Sequence, residues 1–84
     1  MELKEAQRII EEFYGQKDRK RGINADLVWL GEEVGELFKA VREGEGIEEE
    51  IADVFAWLLS VANVLNIDVE DAFRKKYINP PNPP

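Results

Sequence analysis

The sequence predicts an all-α fold, and three features of the chain support that prediction. Apolar residues recur every three or four positions through most of the 84 residues, which is the period of helices with one buried face. Glycines interrupt this pattern at Gly15 and again at Gly44 and Gly46. The chain is short enough for a single domain, and it contains neither an internal repeat nor a long linker.

The first helix is predicted over residues 2–14, and Gly15 is expected to end it. Its apolar stripe consists of Leu3, Ala6, Ile9, Ile10 and Phe13. The following residues, GQKDRKRG at 15–22, are predicted to form a basic loop that contains Lys17, Arg19, Lys20 and Arg21. This loop holds four of the chain's eleven Lys and Arg residues, and it is either a solvated turn or a surface that attracts a polyphosphate.

Two further helices form a predicted hairpin. Asn24 is a candidate cap for the second helix, which ends near Gly44 and Gly46. Its stripe contains Leu27, Leu30, Val34, Leu37, Phe38 and Val41. The third helix runs from about Ile47 to Leu65, and its predicted core face contains Ile51, Val54, Phe55, Leu58, Leu59, Ala62 and Leu65.

A short fourth helix is predicted after Asp68, which serves as its cap, through Ala72 and Phe73 to Lys76. The tail NPPNPP at 79–84 cannot continue a helix and is expected to be extended or disordered. The predicted organisation is therefore one domain over residues 1–78 followed by this proline-rich tail.

The third helix is too apolar for a chain of this size. Besides its predicted core face, it carries Trp57, Val61 and Val64 on a second arc. An all-round apolar helix requires burial, and without cysteine the chain has no disulfide to supplement a small core. We therefore expect a homo-oligomer that completes a helical bundle, either a homodimer or a homotetramer.

Composition excludes several classes of function. The chain lacks both Cys and His, which are the usual zinc and soft-metal ligands. The net charge of −7 disfavours binding to a nucleic acid polymer. No apolar run approaches the ~20 residues of a membrane span, and nothing resembles a signal peptide. We expect a cytoplasmic protein.

The acidic surplus is concentrated in residues 32–54, where nine acidic residues face only Lys39 and Arg42. Two pairs within this segment have the same i, i+3 spacing, so each pair presents two carboxylates on one helix face. These pairs are Glu33 with Glu36 and Glu50 with Asp53.

Both pairs border apolar arcs, where bare carboxylates cost several kcal/mol each unless they are paired or bind a metal. Four such oxygen ligands suit Mg²⁺ or Mn²⁺. Glu45, Glu48 and Glu49 are instead expected in solvent, where acids near a helix amino end stabilise the helix dipole.

The segments EEVGEL at 32–37 and EEIADV at 49–54 resemble the paired E-x-x-E and E-x-x-D signature of the MazG-like all-α nucleoside triphosphate pyrophosphohydrolases. The similarity extends through NADLVWL at 24–30 and NIDVEDAF at 66–73. It implies a MazG-like helical bundle of three to four helices per chain. The implied reaction converts a nucleoside triphosphate and water to the monophosphate and pyrophosphate, in nucleotide-pool house-cleaning.

The resemblance also assigns residues to roles. The family's metal ligands map onto Glu33, Glu36, Glu50 and Asp53, and Glu32 matches an acid that orients or deprotonates the attacking water. Lys75 and Asn79 match a spacing that places both near the phosphates, although the family's following basic residues are replaced here by PPNPP. Trp29, beside the acids, is a candidate for stacking on a base or for packing in the core or an interface.

Two alternatives remain at this point. The chain could be a non-catalytic interaction module whose acids bind a metal to hold an oligomer together. It could also hydrolyse another pyrophosphate substrate, such as a nucleoside diphosphate derivative.

Overall fold

The computed structural model describes residues 1–79, and this part of the chain is helical without β-strands. It contains α1 (Leu3–Arg21), α2 (Ile23–Glu43), α3 (Ile47–Val64) and α4 (Val69–Phe73), and α4 continues into a π-helical turn (Arg74–Ile78). The predicted all-α class is confirmed. Residues 80–84 of the predicted tail lie outside the described residues.

Helix α1 is longer than the sequence predicted. Gly15 lies buried inside the helix, and the predicted basic loop at 15–22 is wrong because residues 15–21 form the last turns of α1. The Glu11 and Arg19 side chains, four residues before and after Gly15, form an ion pair over it. This pair stabilises the helix across a residue that costs ~1 kcal/mol relative to Ala in a helix interior.

The break between α1 and α2 occurs at Gly22, whose φ of 95° favours glycine. Its N–H donates to the Asp18 carbonyl at 3.1 Å, and its own carbonyl accepts from the N–H of Asp26 at 3.0 Å. The predicted cap at Asn24 is wrong, since α2 begins at Ile23 and Gly22 occupies the capping position.

The α2–α3 hairpin and the fourth helix follow the prediction closely. Helix α2 is capped at its C-terminus by Gly44, which adopts the left-handed conformation. The N–H of Gly44 donates to the Ala40 carbonyl at 2.8 Å. Helix α3 begins after Gly46, which has φ 71°. At α4, the Asp68 carboxylate accepts from the N–H of Asp71 at 3.0 Å, which confirms the predicted cap.

Helix α1 runs along α3 in the opposite direction. Near the start of α1, the Gln7 amide donates to Asn63, close to the end of α3, at 2.9 Å and to the Ile67 carbonyl at 2.7 Å. At the other end of α1, the Arg21 guanidinium lies 5.3 Å from the ring centre of Trp57. This direction places the end of α1 beside the middle of α3.

The inward face of α3 differs from the prediction. Val61 is buried, and Trp57 and Val64 are half-buried, although they were assigned to the second arc. Leu59 and Ala62 are buried as predicted, whereas four residues of the predicted core face are exposed: Ile51, Phe55, Leu58 and Leu65. The helix is rotated so that the arc with its two acids faces α1 and α2.

The predicted apolar stripes of α1 and α2 are also only partly buried. Their exposed members are Ile9 and Phe13 on α1, and Leu27, Phe38 and Val41 on α2.

Among the described residues, no single helix is long and apolar enough for a membrane span. Helix α3 and the helical segment 69–78 reach that length and hydropathy only when they are taken together, and a bend of 100° separates them.

Candidate metal centre

Three of the predicted metal ligands lie together in the α2–α3 hairpin. Glu33 projects from α2, and Glu50 and Asp53 project from α3 one turn apart. One carboxylate oxygen from each residue lies within 4.8 Å of the other two. The antiparallel hairpin produces this cluster because the short turn at 44–46 brings the middle of α2 beside the start of α3.

The cluster is held against unfavourable electrostatics. Glu33 and Glu50 are half-buried, and the Oε2 atom of Glu50 is buried without a hydrogen-bond partner. Burial raises the pKa of Glu33, and a hydrogen bond with Glu50 and the charges of Asp53, Glu50 and Glu36 raise it further. Among residues 1–79, the charges that shift the pKa of Glu33 are all negative, so none of them stabilises its ionised form.

These properties fit a hard divalent cation. Mg²⁺ is bound through carboxylate oxygens, keeps several waters and requires neither His nor Cys. A cation between Glu33, Glu50 and Asp53 would supply the partner that the Glu50 oxygen lacks and would offset the repulsion among the three charges.

Glu36, the fourth predicted ligand, lies outside this group of three carboxylates. It is exposed one turn further along α2, although its charge still acts on Glu33. A separate depression at the hairpin turn has Glu36 and Glu50 in its wall. Glu32 is exposed next to Glu33. The acids predicted to lie in solvent, Glu45, Glu48 and Glu49, are exposed.

The family model for the MazG nucleotide pyrophosphohydrolase domain matches residues 22–79, which include both helices of this cluster. The chain belongs to the MazG nucleotide pyrophosphohydrolase family. A search of curated proteins returned no match. The match to the MazG domain begins at the α1–α2 break, so α1 precedes the matched region.

Trp29 of the MazG domain stacks on another indole in this structure. Its ring centre lies 5.9 Å from that of Trp57, and the two planes differ by 9°. The Arg21 guanidinium also lies 5.3 Å from the Trp57 ring centre. The aromatic pair thus joins α2 to α3 one turn from the carboxylate cluster, and the arginine joins α1 to this pair.

A cavity of about 330 Å³ adjoins the cluster between α1 and α3. Asp53 belongs to both the cavity wall and the carboxylate cluster. The opposite wall includes Asp18 and Arg21, which the sequence predicted to lie in a basic loop. Their i, i+3 spacing on a continuing helix was the signal that would have placed both on one face.

Lys75 and Asn79, the predicted phosphate contacts, lie at the other end of the described chain. Lys75 is exposed in the π-helical turn, and Asn79 is exposed directly after it. Neither residue belongs to the carboxylate cluster or to the wall of the cavity.

Proposed function

We propose that the chain is a Mg²⁺-dependent nucleoside triphosphate pyrophosphohydrolase that releases a monophosphate and pyrophosphate in the cytoplasm. The observation that carries this proposal is the convergence of Glu33, Glu50 and Asp53 within the MazG domain, where one Glu50 oxygen is buried without a partner. A half-buried group of like charges is costly to a small fold, and a divalent cation bound to a polyphosphate accounts for it.

In this proposal, Glu33, Glu50 and Asp53 hold the cation, and Glu36 completes or adjusts the set from its exposed position. When bound there, such a cation would neutralise polyphosphate oxygens and favour departure of pyrophosphate. Glu32 is exposed beside Glu33, where its carboxylate orients water and accepts its proton. Lys75 and Asn79 are proposed as phosphate contacts.

The decisive test is pyrophosphate release from a panel of nucleoside triphosphates, with product identification, in Mg²⁺ and in EDTA. Wild type should release pyrophosphate only with the metal, and Asp53→Asn should lose at least about 100-fold in kcat, as expected for loss of a metal interaction. Glu48→Gln is the matched control because Glu48 is an exposed acid of the same helix outside the cluster. Full activity of Asp53→Asn would remove Asp53 as a ligand.

The second candidate is a non-catalytic oligomerisation module. It is favoured by the exposed apolar strip on α3, which consists of Ile51, Phe55, Leu58 and Leu65. We propose that a second copy of the chain covers this strip, because the residues recur along one helix face and the single chain leaves them open to water. Both the enzyme and the non-catalytic module are compatible with an oligomer, so the oligomeric state does not distinguish them. Thermal stabilisation by Mg²⁺ without hydrolysis of any triphosphate would favour the non-catalytic module.

A further inference from the structure

The stacked pair of tryptophans lies next to the carboxylate cluster on both helices of the hairpin. Trp29 comes four residues before Glu33 on α2, and Trp57 comes four residues after Asp53 on α3. Four residues correspond to about one helical turn. Because α2 and α3 are antiparallel, both steps run in the same direction along the hairpin. The stacked rings therefore occupy the turn next to the one that carries the carboxylates.

This stack fixes the spacing between α2 and α3. The two ring centres are 5.9 Å apart and the ring planes differ by 9°, which is the offset-stacked arrangement that aromatic pairs prefer. Aromatic rings are rigid and packed interiors transmit small displacements, so one helix cannot shift against the other here without disturbing the stack. The separation of Glu33 and Asp53, one turn away, therefore depends on this contact.

Arg21, at the end of α1, joins the stack to both helices. Its guanidinium carbon lies 5.3 Å from the ring centre of Trp57 on α3, which is within the ~6 Å range of a cation–π contact. Its Nη1 atom donates to the Asp26 carboxylate on α2 at 2.8 Å and to the Asp18 carboxylate on α1 at 3.0 Å. One side chain thus contacts all three long helices.

The two aspartates hold this guanidinium in place. Asp18 and Asp26 are 2% and 0% exposed, and a buried carboxylate that loses its cation is strongly destabilising. The guanidinium is planar with donors in fixed directions, so its bonds to both carboxylates restrict where its plane lies. Arg21 is therefore held beside Trp57 by contacts that do not involve the carboxylate cluster.

We propose that Arg21 is a positioning residue of the metal centre, which acts through the Trp57–Trp29 stack to hold Glu33 and Asp53 at the spacing that a divalent cation requires. Mg²⁺ demands near-ideal coordination geometry, and residues that orient metal ligands contribute about 10- to 100-fold to metal affinity. The proposal rests on the proposed function in taking Mg²⁺ as the occupant of the cluster. It extends the site to α1, which precedes the region that matches the MazG domain.

The test is calorimetric titration of Mg²⁺ into the metal-free protein, without nucleotide, for wild type and Arg21→Lys. Lysine keeps the positive charge beside Asp18 and Asp26 but loses the planar group. Because the charge is kept, a change in Mg²⁺ affinity reports geometry rather than electrostatics. Arg21→Lys should bind Mg²⁺ about tenfold or more weakly than wild type, and equal affinities would overturn the proposal.

Gln7→Ala is the matched control, because Gln7 attaches α1 to the far end of α3. The Gln7 amide donates to Asn63 at 2.9 Å and to the Ile67 carbonyl at 2.7 Å. Asn63 follows Asp53 by about 15 Å along the helix axis. Gln7→Ala should lower the urea midpoint and leave the Mg²⁺ affinity unchanged. A loss of Mg²⁺ affinity equal to that of Arg21→Lys would mean that any loosening of α1 weakens the site, and would overturn the specific role of Arg21.

Tryptophan fluorescence gives a second readout. The chain's two tryptophans are the two members of the stack, so their emission in EDTA reports on the stack alone. Arg21→Lys should change this emission and Gln7→Ala should not. An Arg21→Lys protein with the emission of wild type would show that the stack does not depend on Arg21, which contradicts the proposal.

Trp29→Leu keeps the test decisive if Arg21→Lys fails to fold, because it leaves the contacts of Arg21 with both aspartates in place. It should also weaken Mg²⁺ binding by about tenfold, and an unchanged affinity would overturn the proposal. Since no nucleotide is present, a loss of affinity in this variant does not come from a lost contact with a base.

Triphosphate hydrolysis by the same wild-type preparation separates this proposal from the proposed function. Weaker Mg²⁺ binding in Arg21→Lys, with no hydrolysis by wild type, supports the role of Arg21 and refutes the proposed function alone. Hydrolysis by wild type, with equal Mg²⁺ affinities in all variants, refutes the role of Arg21 alone. A wild-type protein that binds no Mg²⁺ overturns both.

Discussion

Replacing Glu50 by Gln should stabilise the metal-free protein. Glu50 contributes an oxygen that lies within 4.8 Å of one oxygen each from Glu33 and Asp53. At 4.8 Å, two unit charges repel by about 0.9 kcal/mol in water and about 3.5 kcal/mol at an effective dielectric constant of 20. The neutral amide removes both repulsions, and its N–H groups are able to donate to the Glu33 carboxylate.

The expected gain is about 1–2 kcal/mol, near the lower Coulomb value, because Asp53 is exposed and solvent screens the repulsion at the edge of the cluster. For a domain of this size, such a gain corresponds to an increase in Tm of roughly 5–15 °C in EDTA. The same variant should lose most of the stabilisation that Mg²⁺ gives to wild type, because the cation loses a charged ligand.

The assay is thermal and urea denaturation of wild type, Glu50→Gln and Glu48→Gln, each in EDTA and in Mg²⁺. Glu48 is an exposed acid of the same first turn of α3, so its replacement loses a similar helix-dipole interaction of about 0.3–1 kcal/mol. The comparison therefore isolates the cluster. A Glu50→Gln protein that is less stable than the Glu48→Gln protein in EDTA, or that responds to Mg²⁺ like wild type, would refute the reasoning.

Three other changes test separate parts of the structure. The folded-state pKa of Glu33 is raised above its ordinary value of 4.5, so its contribution to stability is present below that pH and is lost as pH rises through the folded-state pKa. Denaturation from pH 4 to 8 should show this loss in EDTA and a smaller loss in Mg²⁺. Arg21→Ala leaves two buried aspartates without their cation and should cost about 3 kcal/mol or more in urea denaturation, and an unchanged midpoint would contradict the ion-paired network. Leu58→Lys should lower the oligomeric mass in sedimentation, whereas Glu12→Lys on exposed α1 surface should not; equal masses for both would exclude the α3 strip as the interface.

The local elements were largely predictable because their signals are local. Glycine at the end of α2 and aspartate at the start of α4 fix the chain direction through their own backbone and side-chain bonds. Gly15 failed as a stop signal because one glycine costs a helix interior only ~1 kcal/mol relative to Ala, and the turn that contains it is buried against the rest of the fold. The ion pair between Glu11 and Arg19 depends on the helix already being present.

The sequence also predicted most of the candidate metal centre. Two acid pairs at i, i+3 spacing on adjacent helices were enough to indicate a cluster, and the structure brings Glu33, Glu50 and Asp53 together. The exclusion of Glu36 from this group depends on how the hairpin packs, which the spacing does not specify. The opposite wall of the cavity was missed because α1 was predicted to end before Asp18.

The sequence by itself determined the helical class, the hairpin and the concentration of acid within it, because periodicity, turn residues and charge depend on neighbours along the chain. The tertiary structure decided which arc of α3 faces inward and that Asp18 and Asp26 share one arginine. It also decided that a cavity joins α1 to the carboxylates. The physical reason is that helix rotation is set by packing and electrostatics between helices, whereas apolar residues on two sides of α3 leave either orientation open to the sequence.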